Sequence, residues 1–414
     1  MNSKISKFIT YFGLFLFFTG TFYLVFDKFF PAKNHLNSKT STQNNPTPTV
    51  KTGFIQFAGP KTEVCPLNSA LYTTEEKAIW STRRPLAVMI ENHLDSRPQS
   101  GLQSADIVYE AVAEGGITRF MGVFYCGAVA ASTNKYDVGP VRSARTYFLD
   151  LASEYADYPL YAHVGGANCS GGDSISNTTN CTTDKRAQAL EQISKYGWTS
   201  KGTWGDLNQF SLSYQVCRRE PERTGEERAT EHTMYCSTTE LWKTAAARGL
   251  TNMTIANKVS WDKNYRPWSF KQTESPSSTP VNSISFDFWP GYKDYSVTWT
   301  YDTANNRYLR ANDNTKQIDF NTKEQLFTKN LIVQYAKETK AVDEHGHLLY
   351  GLIGTGKGML FQNGNKQEIT WIKANRTSRT IFKTTDGKEV NFIPGQVWVE
   401  ILPVGNTIRY EGQP

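Results

Sequence analysis

The feature that most constrains this chain is an uncharged apolar run close to its amino end. Residues 8–26, FITYFGLFLFFTGTFYLVF, contain no Asp, Glu, Lys or Arg. At about 1.5 Å per residue, a helix of that length nearly spans a hydrocarbon core of about 30 Å. Lys4 and Lys7 precede the run and Asp27-Lys28 follow it. This charge bias keeps the amino end in the cytoplasm and sends the remainder outward. A cleaved signal peptide is the alternative, but DKFFPAKNHL offers no A-x-A site after the run. No cysteine stands near the end of the run to carry a lipid. The expectation is a single-pass anchor over residues 1–28 in the cell membrane. The amino end is then cytoplasmic and the bulk of the chain extracytoplasmic.

Everything folded would then mature in an oxidising compartment, where disulfides persist. All six cysteines (Cys65, Cys126, Cys169, Cys181, Cys217 and Cys236) lie beyond the run. Sequence cannot choose among their pairings. Proximity favours Cys169–Cys181 and Cys217–Cys236, which leaves Cys65 with Cys126. No Cys/His spacing suggests zinc, so no metal ligands are assigned, and no cofactor is implied. The net charge of +6 is spread along the chain without Lys/Arg tracts, which argues against nucleic acid.

Residues 29–59 are polar and rich in Asn, Thr and Pro, and read as a disordered tether. From 60 to 270 strand-like and helix-like segments alternate. PLAVMI (85–90), ADIVYEAVAE (105–114), TRFMGVFYC (118–126) and YPLYAHVGG (158–166) are strand candidates. RTYFLDLASEYA (145–156), DKRAQALEQISKYG (184–197) and STTELWKTAAARGL (237–250) have helical spacing, the last with Ser237, Thr238 and Thr239 as candidate caps. An α/β domain with a mixed sheet follows. Residues 271–283 read as a linker. From 284 to 414 short strands recur between turns, which predicts a mostly β domain, a sandwich or barrel. The fold class is therefore α+β overall.

The chemistry concentrates in the first of these domains. VGPVRSARTYFLDL sets Arg142 and Arg145 at a helix start, where two cations oppose the helix dipole. Either a carboxylate meets them or the site holds an anion. Glu110 and Glu114 are the candidate partners; on a regular strand they share a face with Val108 and Val112, and a carboxylate there needs a cation. Arg119 is a third candidate cation. Asn92 and His93 follow the LAVMI strand, where an α/β fold places a ligand crevice. His163 ends another strand before Gly165-Gly166, and His232 lies in TEHTMY. Ser143 suits helix capping better than nucleophilic attack, which needs a neighbouring base. Four residues along one strand at about 3.3 Å each exceed the roughly 5–9.5 Å of a hydrolytic carboxylate pair, so Glu110 and Glu114 alone make a poor one.

Three further stretches carry less. In GLIGTGKGML, Gly351, Gly356 and Lys357 fit G-x-x-x-x-G-K, but Gly358 stands where Ser or Thr must hold magnesium. A glycine turn lining a groove is the plainer reading. DEHGH (343–347) reads as a polar hairpin tip. The mixed-charge run 217–232 reads as a solvated loop held by a disulfide.

Two long blocks carry a resemblance. RPLAVMIENHLDSRPQSGLQSADIVYEAVAEGGITRFMGVF and VGPVRSARTYFLDLASEYADYPLYAHVGG resemble the YerB-like family of bacterial lipoproteins. EHTMY is similar to that family's Pro-His-Asn-Leu-Tyr segment, and the strands from LIVQYAK to PGQVWVEILP to its β-rich C-terminal domain. The resemblance covers about 80–414. It implies a two-domain, extracytoplasmic, membrane-attached protein and supplies no activity. The matching positions are Asn92, His93, Arg97, Pro98, Gly101, Asp106, Glu110, Glu114, Gly115, Gly116, Arg119, Gly139, Pro140, Arg142, Ser143, Arg145, His163 and His232. The chain departs from the family in lacking a lipid-bearing cysteine, in carrying six other cysteines, and in reading Glu-His-Thr for Pro-His-Asn.

The expectation is thus a cell-envelope binding or scaffold protein, with peptidoglycan or an envelope protein as partner. Its anion-binding cleft is formed by Asn92, His93, Glu110, Glu114, Arg119, Arg142, Ser143, Arg145, His163 and His232. The alternative is a cell-wall hydrolase or transferase using Glu110 or Glu114 with His163.

Overall fold

The computed structural model describes residues 55, 57–129, 136–169, 181–271 and 276–412. The apolar run at 8–26 lies outside them, and among the described residues no helix is long and apolar enough to cross a membrane.

The frame is an 11-stranded mixed sheet. Its strands are β1 (Leu86–Glu91), β2 (Ile107–Glu114), β3 (Ile117–Phe124), β4 (Leu160–His163), β5 (Asp206–Asn208), β6 (Asn330–Thr339), β7 (Leu349–Gly351), β8 (Gly354–Gln362), β9 (Asn365–Lys373), β10 (Ile381–Thr384) and β11 (Val397–Pro403). The order is β10-β9-β8-β6-β11-β2-β3-β1-β4-β5, with β7 against the end of β6. One sheet therefore draws on strands from both sides of the linker expected at 271–283. The junction is the parallel pairing of β11 with β2, from Val397↔Ile107 to Glu400↔Glu110. The described part of the expected linker bonds back to the second half: Lys271 N–H donates to Phe392 O at 2.8 Å and Val281 N–H to Gly364 O at 2.8 Å.

Position in this order explains the apolar runs. β1 and β11 are buried along their whole length, as central strands covered on both faces must be. The β2–β3 hairpin turns at Gly115 and Gly116, with φ of +57° and +78°. Two successive left-handed residues make the tight turn that glycine favours. A Cβ on Gly116 would also stand 2.3 Å from the Tyr292 ring.

The helices are short. α1 (Thr74–Trp80) starts at a reciprocal cap between Thr73 and Glu76. α2 (Thr146–Ala152) and α3 (Ala189–Lys195) are shorter than their sequence patterns suggested. α4 (Thr238–Ala247) is capped by Ser237, one of the three candidates, which accepts from the Glu240 N–H.

Asn391–Phe392 pairs in parallel with Ser269–Phe270, while six further strands form an antiparallel sheet: Ser283–Phe286, Val297–Asp302, Arg307–Asn312, Thr315–Lys316, Phe327–Thr328 and Arg409–Glu411. Its Trp299 meets Trp398 of β11 at 5.1 Å, and Trp398 meets Phe120 of β3 at 5.6 Å. All three rings are fully buried, so the two sheets share one core. The disulfides are Cys65–Cys126, Cys169–Cys181 and Cys217–Cys236, the pairing that proximity favoured.

Candidate functional site

The site grows from the carboxyl ends of the parallel strands β1 and β4. They pair from Leu86↔Leu160 to Val88↔Ala162 and then diverge. The stretch 139–144 enters the opening. Arg142 N–H donates to Met89 O at 3.0 Å, and Val164 N–H donates to Arg142 O at 3.1 Å. Backbone therefore occupies the crevice where a ligand was expected, and the side chains gather in three groups, two at its rim and one sealed in the core.

The first group centres on Glu91, the last residue of β1. Its Oε1 lies 3.0 Å from Arg142 Nε and its Oε2 2.9 Å from His232 Nδ1. The His232 and His93 rings stack at 4.5 Å, 6° from parallel, and Asp95 closes the corner. Glu91 and Asp95 were not singled out in the sequence. The available signal was a carboxylate ending an otherwise apolar strand.

The second group centres on Glu114. Arg145 Nε binds its Oε1, and Arg119 Nη2 lies 3.7 Å from its Oε2. Arg119 also donates to Ser143 O at 3.1 Å, but its buried Nε has no hydrogen-bond partner among the described residues. Burial by itself would raise the Glu114 carboxyl; Arg145 and then Arg119 outweigh it and draw it down to about 2. Burial, with Arg145 alongside, lowers the Arg119 guanidinium to about 10. Arg145 is itself the N-cap of α2. Ser143 is not the cap, a correction: it lies two residues before Arg145, in the stretch that still crosses the crevice.

Glu110 belongs to a third, sealed group. It accepts from Thr118 Oγ1 at 2.6 Å and Asn92 Nδ2 at 3.3 Å, and pairs with Arg310. Glu400, opposite Glu110 in the β11–β2 pairing, accepts from Trp299 Nε1 at 2.9 Å. Glu110, Glu400 and Arg310 are all fully buried. Burial, then the negative charge of Glu110, pushes Glu400 well above the usual carboxylate range. Arg310 sits among Phe120, Trp299 and Trp398, its guanidinium carbon 5.2–5.5 Å from each ring. Arg310 and Glu400 were missed in the sequence because their partners stand about two or three hundred positions away, on β2. For Glu400 the signal again was one charge inside an apolar strand.

Glu110 and Glu114 therefore do not share a face. Val112 opposes Thr118, but Glu114 rather than Ala113 opposes Ile117. The extra residue is a β-bulge, and it carries Glu114 to the side of Arg119. Arg145 meets Glu114, Arg142 meets Glu91, and neither has Glu110 as its ion-pair partner. His163 stands apart: its buried ring lies between Gly165 O and Asp206 Oδ1, each 2.6 Å away.

The lesser stretches resolve as follows. GTGKG is strand rather than turn; it lies in β8 and borders a groove of about 540 Å³ with Tyr335, Lys337 and Trp371. In DEHGH, His347 Nδ1 lies 2.8 Å from Asp343 Oδ2, and His345 lies 2.8 Å from Thr182 Oγ1. In the charged run, Arg218 and Arg223 pair with the buried Asp137, so that part is not simply solvated.

This arrangement has relatives. The family model described as Protein of unknown function (DUF3048) N-terminal domain matches residues 71–251, and the corresponding C-terminal domain model matches 285–399. Over 330 residues the chain is 30% identical to the Putative lipoprotein YerB of Bacillus subtilis (strain 168), covering 80% of this chain and 84% of that protein. The crystal structure of YerB protein from Bacillus subtilis is similar with a TM-score of 0.63 and 27% identity, over 84% of this chain and all of that one. The matched residues include Glu91, Glu110, Glu114, Arg119, Arg142 and Arg145, so the rim just described falls within the N-terminal family model. By sequence and by fold, this chain belongs to the YerB-like family of two-part DUF3048 proteins.

Proposed function

We propose that this protein is a membrane-attached, extracytoplasmic binding protein of the cell envelope, and that the Glu114–Arg119–Arg145 cluster holds an acidic group of its partner. One observation carries the reading. Two buried guanidiniums share a single carboxylate, and the buried Arg119 Nε has no hydrogen-bond partner among the described residues. The cluster holds two cations to one anion, and the side chains of Arg145 and Glu114 are partly exposed, so an incoming carboxylate or phosphate can meet its net positive charge.

Attachment rests on the apolar run at 8–26, with residues 1–28 as anchor and 29–59 as tether, and on the relative described as a lipoprotein. Three disulfides suit an oxidising compartment. The 60–270 part acts as the α/β unit bearing the cleft. The 284–414 part, whose strands complete the mixed sheet, carries a groove, with Trp371 and Lys337, that offers a second contact face. Peptidoglycan, which carries acidic stem peptides, is the partner this chemistry fits. The hydrolase reading gains no support from the distances, since Glu110, Glu114 and His163 sit in three separate environments.

The test is sedimentation of the full-length protein, in detergent micelles, with purified peptidoglycan, and mass spectrometry of the supernatant. The wild type pellets, Arg119→Gln stays in solution, and no muropeptides are released. Release of muropeptides would make the protein an enzyme. Absence of pelleting would exclude peptidoglycan as the partner.

A further inference from the structure

We propose that the corner formed by His93, Asp95 and His232 is a binding site for a divalent transition metal of the zinc class. Each of the three offers one ligand atom, and these atoms lie within 4.8 Å of one another. Asp95 Oδ2 is 3.6 Å from His93 Nδ1 and 4.0 Å from His232 Nε2. Bonds of about 2.0–2.1 Å in a tetrahedral zinc site place ligand atoms about 3.3–3.5 Å apart. The two sides at Asp95 close by a fraction of an ångström, and the third, between the histidines and within 4.8 Å, closes as the His93 ring turns.

One ligand is already fixed from behind. Glu91 Oε2 faces His232 Nδ1 at 2.9 Å, and Arg142 holds the other oxygen of Glu91. With Nδ1–H donated to Glu91, the opposite nitrogen Nε2 is directed to the side of Asp95. A carboxylate behind a histidine is the arrangement that orients imidazole ligands in metal sites. The His232 side chain is 8% exposed, whereas those of His93 and Asp95 are 31% and 56% exposed. The two accessible ligands can move onto the fixed one.

Binding has identifiable costs. The His93 ring must turn out of its stack with His232, because parallel rings cannot aim two lone pairs at one ion. It must also release the Asp95 N–H, which donates to His93 Nδ1 at 3.2 Å. Arg228 Nη1 lies 4.0 Å from Asp95 Oδ1 and is the cation the metal displaces. Two imidazoles and one carboxylate suit zinc, nickel or copper better than magnesium or calcium. Three protein ligands leave a fourth position for water or for an acidic oxygen of a partner. The site lies about one hundred and forty positions apart in the chain, which is why no short spacing announced it.

The experiment uses the untagged, metal-stripped full-length protein in detergent. Cobalt(II) is titrated while visible ligand-field bands are recorded, followed by competition with zinc(II). One ion per chain is expected to bind, with tetrahedral-type bands that zinc abolishes. His93→Ala and Asp95→Ala, both on the accessible side, weaken binding by about tenfold or more. His345→Ala, at an exposed histidine away from this corner, leaves it unchanged. The proposal is overturned if neither ion binds saturably, or if the wild type and the His93→Ala and Asp95→Ala variants bind alike.

Discussion

Two carboxylates four positions apart on β2 live in opposite worlds. Glu114 is partly exposed and held down to about 2 by Arg145 and Arg119, both from the amino-terminal half. Glu110 is sealed beneath Trp299 and Trp398, against Arg310 and Glu400 from the carboxyl-terminal half. The difference comes from one bulge between them and from which sheet covers each face. The lesson is that charge in a strand has no fixed meaning: the covering layer makes it a sealed staple between halves or leaves it at the rim against arginines of its own half.

Replacing Arg310 with Met tests this contrast most severely. It leaves two buried carboxyls without their cation, and loss of one partner of a buried pair costs about 3–5 kcal/mol. Urea denaturation should show that loss, and a change below about 1 kcal/mol would mean the staple is not holding the halves together.

Acidification tests the other side. The Glu114 value is lower in the folded chain, about 2, than its ordinary 4.5. Its stabilisation is therefore complete above about pH 4.5 and is lost as the pH falls toward 2, by on the order of 3 kcal/mol. The difference in unfolding free energy between the wild type and Glu114→Gln, measured across that range, should shrink to little at its acid end. A difference independent of pH would remove the ion pair from the account.

Gly116→Ala probes the turn that sets the two strands. The backbone there has φ of +78°, and the added methyl meets Tyr292. A cost of about 1–2 kcal/mol is expected, partly relieved when Tyr292→Ala is added. Equal losses with and without the tyrosine change would assign the whole cost to the backbone.

Much of the fold is legible in the sequence. The four candidate strands of the first half and the cores of its three candidate helices fall where periodicity and glycine put them, because local patterning reports which residues must be buried. The disulfide pairing followed from proximity. The Arg145–Glu114 contact followed from the need to neutralise a cation at a helix start. The second half read as a run of short strands, but its partition between two sheets did not, since strand partners are chosen by the whole assembly.

What the sequence determined by itself is a list of charges that require partners: Glu110, Glu114, Arg119, Arg142 and Arg145 could not be left alone in an apolar setting. Tertiary structure decided who those partners are. The bulge after Val112 sent Glu114 toward the arginines, the β2–β11 pairing brought Glu400 beside Glu110, and the loop bearing His232 came to rest on Glu91. The physical reason is range. Burial preferences act residue by residue along the chain, whereas ion pairs and ligand sets join atoms that only the packed sheets bring within a few ångströms.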